Sequence, residues 1–261
     1  MIITAFGRAD ERAVAEQMEK PEISTKSSWI VDAVIFDLDG TITDTEKYYQ
    51  VAWPAALEHF GWKTTPQMPL ELRSLGRPFA PEKFKEWFGE NFNYPEVRAY
   101  RKKLIAEMIE ENGITLKPGA AEILQWLRSE GIITAMATAN EYQRAKEHLD
   151  RIGLTEYFDR IICADMVQFG KPAPDIYRFA CEELGLPPER TFAVEDSPNG
   201  VRSAYGAGCK VIMIPDLTEP DEELAKLLYA RLDSLCDIKK LLEETRGSSL
   251  SASSKAPAGN C

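Results

Sequence analysis

The chain has 261 residues, 44% hydrophobic and 28% charged, which fits a soluble globular protein of one or two domains with a substantial core; no apolar run is long enough to span a bilayer. With 42 acidic against 31 basic side chains the formal charge is −11, so nucleic acid and anionic membrane are excluded as expected partners. Five scattered cysteines, odd in number and without a C-x-x-C pair, fit a reducing cytosol and argue against thiol chemistry.

Residues 1–29 hold one polar helical pattern, Asp10 to Lys20, closed by Pro21, and read as a peripheral, partly disordered extension. The opening Met1 to Phe6 is too short for a signal-peptide core, and the expected location is cytoplasmic. Next, Ile30 to Phe36 is a β-branched and aromatic run that predicts a buried strand over Val31–Asp37. It runs into Asp37-Leu38-Asp39-Gly40-Thr41. Residues two apart on a strand share a face, so Asp37 and Asp39 are presented together at its C-terminal edge. Two adjacent buried carboxylates repel unless a cation lies between them or one is protonated. The pattern therefore points to a metal-dependent active site.

Residues 45–114 read as a helical insertion. From Tyr49, the positions Ala52, Trp53, Ala56, Leu57 and Phe60 keep helical spacing, with Pro54 predicting a kink. Pro81 opens a second helix and Pro95 a third that ends at Gly113. Beyond it, strands and helices alternate. The strands are Ile132–Thr138, Arg160–Ala164, Thr191–Glu195 and Lys210–Pro215; the helices are Ala120–Glu130, Tyr142–Ile152, Asp175–Leu184 and Val201–Tyr205. This predicts an α/β fold: a Rossmann-like parallel sheet, helices on both faces, a core from residues 30–44 and 115–246. Ligands of such sheets bind beyond the C-terminal strand ends. Residues 247–261 are rich in Ser, Ala, Gly and Pro and read as a flexible tail.

Three further motifs fall at those strand ends: Thr138-Ala139-Asn140, Gly170-Lys171-Pro172-Ala173-Pro174-Asp175, and Glu195-Asp196-Ser197-Pro198-Asn199-Gly200. Singly they are weak, since Thr138 alone reads as a helix N-cap and Lys171 as a surface lysine. In order behind Asp37-x-Asp39-Gly40-Thr41, they resemble the four motifs of the haloacid dehalogenase superfamily, over roughly residues 30 to 245. The insertion corresponds to the helical cap of the phosphoglucomutase and phosphoglycolate phosphatase type.

The resemblance implies a Mg2+-dependent phosphatase. Asp37 would be the nucleophile that forms an aspartyl-phosphate, and Asp39 the general acid/base. Thr138, the amides of Ala139 and Asn140, and Lys171 would hold the phosphate. Mg2+ would be bound by Asp37, the Asp39 carbonyl, Glu195 and Asp196. Thr41 would steady the Asp39 loop, and Tyr49, Arg77 and Lys102 are candidate substrate contacts from the cap. Asp39 disfavours dehalogenation, which has no leaving oxygen to protonate. A β-phosphoglucomutase-type phosphomutase is the rival reading, and a non-catalytic phosphate-binding regulator a third. Thr41 in place of an aliphatic residue, and Tyr49 near the position of a mutase histidine, favour hydrolysis. The expected substrate is a small phosphorylated metabolite, such as a sugar phosphate, handled by a monomer.

Overall fold

The computed structural model describes residues 30–252, with side chains as far as residue 246. Its strands are β1 (Ala33–Phe36), β2 (Ile133–Thr138), β3 (Arg160–Cys163), β4 (Thr191–Glu195), β5 (Lys210–Met213) and β6 (Ala230–Arg231). All pair in parallel, in the order β3-β2-β1-β4-β5-β6. Central β1 aligns Ala33 with Ile133 on one side and with Thr191 on the other. An α/β fold with a Rossmann-like parallel sheet is what the strand–helix alternation required.

Four helices intervene between β1 and β2: α1 (Glu46–His59), α2 (Gln67–Glu71), α3 (Phe79–Phe88) and α4 (Tyr94–Asn112). The rest are α5 (Ala120–Ser129), α6 (Tyr142–Ile152), α7 (Asp175–Leu184), α8 (Pro198–Ala207), α9 (Glu222–Ala225) and α10 (Cys236–Ala252). Alternation along β1 feeds two cores. Val34 and Phe36 pack with Leu124, Leu149 and Ile238 from α5, α6 and α10. Ala33 and Ile35 pack with Tyr177 and Val201 from α7 and α8. With helices over both faces the central strands β1 and β4 are buried throughout, hence the unbroken apolar run of β1.

The helical insert has an aromatic core of its own. Phe84 is fully buried and stacks on Phe92, with ring centroids 4.9 Å apart. It meets Trp53 at the same centroid distance. The insert docks on the sheet domain through backbone: Gly76 N–H donates to the Lys171 carbonyl (2.8 Å), and Gly170 N–H to that of Arg77 (2.7 Å). A Cβ on either glycine would stand within 2.7 Å of the other's Cα, so both positions need glycine for the close approach.

Four features were not foreseen, the first being α2, a five-residue helix that makes the insert one of four helices rather than three. Strand β6 is two residues long, too short to show a period, and α9 is a single turn. Helix α10 continues past Gly247 to Ala252, into the segment read as a flexible tail. Extending a helix that is already nucleated adds a backbone hydrogen bond for each residue fixed, so the composition of that stretch did not end it. The extension expected over residues 1–29, and residues 253–261, lie outside the described residues.

Candidate active site

The ends of β2, β1 and β4 are neighbours in the sheet, so Thr138, Asp37 and the Glu195–Asp196 pair emerge side by side. The Asp37 amide donates to the Val194 carbonyl (3.0 Å), which seats the residue against the end of β4. Lys171 arrives from the loop between β3 and α7 and is 1% exposed. Its ammonium donates to Asp37 Oδ1 (2.5 Å), Glu195 Oε1 (2.6 Å) and the Ala137 carbonyl (2.9 Å), using all three protons. Burial works against that charge, but the Asp37 and Glu195 carboxylates outweigh it and raise the Lys171 pKa. Tyr177, from α7, donates to the same Glu195 oxygen (2.6 Å).

Carboxylate oxygens of Asp37, Glu195 and Asp196 lie within 4.8 Å of one another. Glu195 Oε2 and Asp196 Oδ1 are buried and bond to nothing. Burial pushes the Asp37 carboxyl well above its ordinary pKa against the pull of Lys171. It also pushes Asp196 to about 7, despite the adjacent Arg73 guanidinium. Bare, buried carboxylate oxygens carrying excess negative charge are a hard-oxygen donor set, which fits Mg2+. Gly40 lets the chain pass this close: its φ is +87°, and a Cβ there would stand 2.2 Å from Asp196 Oδ2.

Arg73, just beyond α2, adds an insert-borne cation. It donates to Asp196 Oδ2 and to the Asp196 carbonyl (3.0 Å), and to Thr218 Oγ1 (2.8 Å). Its Nε lies 3.8 Å from Glu46 Oε2.

Asp39 faces the insert. Its carboxylate accepts from Thr45 Oγ1 and from Asn140 Nδ2, each at 2.5 Å. The Tyr49 hydroxyl in turn donates to Asn140 Oδ1 (3.2 Å). Burial raises the Tyr49 pKa to about 12, so it stays a neutral phenol. Between insert and sheet edge lies a cavity of about 580 Å³, of a size for a small metabolite.

Asp37, Asp39, Tyr49, Arg77, Lys102, Thr138, Ala139 and Asn140 all line that cavity, and Lys171 contacts Asp37 directly. One expectation, for Thr41, needs correction. Thr41 is buried away from the cavity with its hydroxyl unbonded; the hydroxyl that steadies Asp39 is that of Thr45, which the turn at Gly40 brings back over the carboxylate. Arg77 is an exposed rim residue whose guanidinium donates to the Ala164 carbonyl (3.1 Å). Lys102 is paired with Glu141 at 2.7 Å. Thr138 Oγ1 accepts from the Asn140 amide (3.2 Å), a bond within the loop, and the N-cap of α6 is Glu141, so Thr138 is not a helix cap.

The sequence reading missed Arg73, Tyr177 and Thr45. Nothing near Arg73 marks it. Tyr177, in the first turn of α7 and on the face toward the sheet, carried a signal: a buried phenol requires a hydrogen-bond partner.

Comparison with known proteins agrees with this geometry. The family model described as haloacid dehalogenase-like hydrolase matches residues 31–208. A phosphorylated carbohydrates phosphatase of Thermotoga maritima is 33% identical over 219 residues, covering 82% of this chain and 91% of its own length. CbbY from Rhodobacter sphaeroides, solved in complex with phosphate, superposes with a TM-score of 0.68 at 31% identity, covering 80% of this chain and 96% of that one. β-Phosphoglucomutase from Clostridium difficile gives a TM-score of 0.72 at 23% identity, covering 85% and 99%, a likeness of fold.

Proposed function

The chain belongs to the haloacid dehalogenase-like hydrolases and is a phosphoric monoester hydrolase, and from that premise we propose a Mg2+-dependent phosphatase acting on a small phosphorylated sugar through an aspartyl-phosphate on Asp37. One observation carries the reading. The Lys171 ammonium holds Asp37 beside the bare oxygens of Glu195 and Asp196, at the floor of a metabolite-sized cavity.

Asp37 attacks the phosphorus and displaces the sugar oxygen, which takes a proton from Asp39. Thr45 and Asn140 orient the Asp39 carboxyl for that transfer. A water then attacks the aspartyl-phosphate, returning its proton to Asp39 and freeing Asp37 and inorganic phosphate. Lys171, the Thr138 hydroxyl and the amides of Ala139 and Asn140 hold the phosphoryl oxygens throughout. Asp37, Glu195, Asp196 and the Asp39 carbonyl would hold Mg2+, which supplies neutralisation of phosphoryl charge. Tyr49 favours hydrolysis over phosphomutase chemistry, because a neutral phenol bonded to Asn140 stands near the position of a mutase histidine and does not take up a proton there as an imidazole would. A cytoplasmic monomer without nucleic-acid or membrane partners belongs to the same proposal. Among the described residues no helix is long and apolar enough to cross a membrane.

The test is phosphate release from an aryl phosphate and a panel of phosphorylated sugars. Chelation should silence turnover and Mg2+ restore it, and Asp37→Asn should abolish it in a folded protein. Undiminished turnover in metal-free buffer, or in Asp37→Asn, rejects the mechanism. β-Glucose 1-phosphate with a bisphosphate primer separates the mutase reading, which predicts glucose 6-phosphate without free phosphate.

A further inference from the structure

Cys181 and Cys209 are 28 residues apart, and no motif in the chain pairs them. The fold does. Cys181 lies on the buried side of α7 with Tyr177 and Leu184, and Cys209 immediately precedes β5. Both belong to the core that α7 and α8 form over one face of the sheet, at 2% and 6% exposure. Their Sγ atoms are 3.9 Å apart, in van der Waals contact. The Thr191 hydroxyl, at the start of β4, lies 4.0 Å from Cys181 Sγ. Cys209 and Thr191 stand at the N-terminal ends of their strands, so the thiols gather at the sheet edge opposite Asp37, Glu195 and Asp196. The proposed phosphatase reaction makes no use of them.

The two sulfurs are not equivalent. A surface cavity of about 320 Å³ is lined by Cys181, by Arg178 and Glu182 on the same helix, and by the turn from Gly185 to Pro188; Cys209 is not among its walls. A small oxidant arriving from solution therefore meets Cys181 first. Contact with the Cys209 thiol lowers the Cys181 pKa, with burial opposing and the Thr191 hydroxyl assisting. The same contact, together with burial, raises the pKa of Cys209. Cys181 is thus the sulfur with more thiolate character, the form that attacks an oxidant. Cys209 keeps its proton and is placed as the resolving partner. Cys163 offers the contrast: it is fully buried, and burial pushes its thiol well above the ordinary value.

We propose that Cys181 and Cys209 form a redox-active dithiol, a modification site whose co-reactant is a small hydroperoxide such as hydrogen peroxide. The Cys181 sulfur attacks one peroxide oxygen, the O–O bond breaks, and Cys181 becomes a sulfenic acid as the first water leaves. The Cys209 sulfur then attacks the Cys181 sulfur. An S–S bond forms, the S–O bond breaks, and the hydroxyl departs as a second water with the Cys209 proton. Two electrons pass from the thiols to the peroxide, so one peroxide yields one disulfide and two waters. The sulfurs close from contact to the ~2 Å of a disulfide, which ties α7 to the start of β5. The site stands apart from the phosphatase reading, because its product is a covalent change that is measured without turnover.

The experiment treats the full chain with hydrogen peroxide, blocks the remaining thiols, and maps tryptic peptides by mass spectrometry in protein that runs as monomer on a non-reducing gel. Cleavage after Arg178, Arg190, Arg202 and Lys210 puts Cys181 in residues 179–190 and Cys209 in residues 203–210. The two peptides should be found joined, and dithiothreitol should separate them. In Cys209→Ser, Cys181 should accumulate as a sulfenic acid trapped by dimedone, roughly tenfold faster or more than Cys163. In Cys181→Ser, Cys209 should remain a thiol. Thermal melting checks that each variant folds, and the wild-type peptide map decides alone if either does not. Cys181 and Cys209 left as thiols while Cys236 or Cys261 is oxidised overturns the proposal. Dimedone labelling of Cys209 in Cys181→Ser, as fast as that of Cys181 in Cys209→Ser, overturns it as well.

Discussion

Lys171→Met removes the ammonium that joins the motifs while keeping an unbranched apolar stem of similar length. The wild-type ammonium makes contacts of 2.5, 2.6 and 2.9 Å to two carboxylates and a carbonyl, all in a site with no exposed lysine surface. Its loss leaves Asp37 and Glu195 facing each other without compensation. Removing one partner of a buried ion pair costs about 3–5 kcal/mol. At about 2–4 °C per kcal/mol for a domain of this size, the melting temperature should fall by about 6–20 °C. The assay is urea and thermal unfolding in EDTA, followed by tryptophan fluorescence and circular dichroism. Lys102→Met is the comparison: its pair with Glu141 has side chains 31% and 47% exposed, so the loss should stay at about 1 kcal/mol or below. Adding Mg2+ should return part of the stability lost by Lys171→Met, because a divalent cation supplies the missing positive charge. A loss below about 1 kcal/mol in EDTA would refute the view that Lys171 is what allows these carboxylates to be buried together.

Phe84→Ala should destabilise the protein by about 3–5 kcal/mol in the same unfolding assay, because the ring is fully buried among Trp53, Phe92 and Tyr94; a loss under about 1 kcal/mol would show that the aromatic cluster collapses to fill the gap. Gly40→Ala should weaken Mg2+ binding, measured by calorimetry, by at least about tenfold (~1.4 kcal/mol), since its Cβ would stand 2.2 Å from Asp196 Oδ2; unchanged binding would remove the steric reason for glycine there. His148 is buried with Nδ1 unbonded, and burial holds its pKa below the usual value, opposed by Asp39 and aided by Arg144 and Arg151. At this residue the unfolded chain therefore takes up the proton first below about pH 6.5, so the contribution of neutral His148 to stability is lost as pH falls from 7 to 5, while the raised carboxyls of Asp37 and Asp196 act in the opposite direction. Those carboxyl effects are common to both proteins, so His148→Leu should gain stability relative to the wild type between pH 7 and 5, and equal slopes would count against the assignment.

The floor of the candidate site was legible in part because it depends on local backbone rules. A continuous apolar run means a strand buried on both faces, such strands align in parallel, and the residues at their C-terminal ends must gather at one edge of the sheet. Asp37, Thr138, Glu195 and Asp196 are placed by that logic and Gly40 by the turn, whereas Lys171, in the loop between β3 and α7, and the roles of all five were singled out by the resemblance of the four motifs. The insert was legible only as a set of helices. Which of its side chains enter the cleft depends on how α1–α4 roll against one another and against the sheet edge, and no period in the chain encodes that rotation.

Arg101 and Lys102 illustrate the division. Adjacent residues on a helix point about 100° apart, and in a run of three basic residues, Arg101 to Lys103, composition offers no reason to choose among them. Packing of α4 against α1 turns Arg101 onto Trp53 and Tyr49 and leaves Lys102 to Glu141. Likewise Thr41 carried the motif, but the returning chain placed Thr45 on Asp39. The order of residues determined the fold class, the strand-end chemistry and the need for a cation. Only tertiary structure decided the walls of the cleft, because side chains distant in sequence meet there through packing rather than through any local conformational preference.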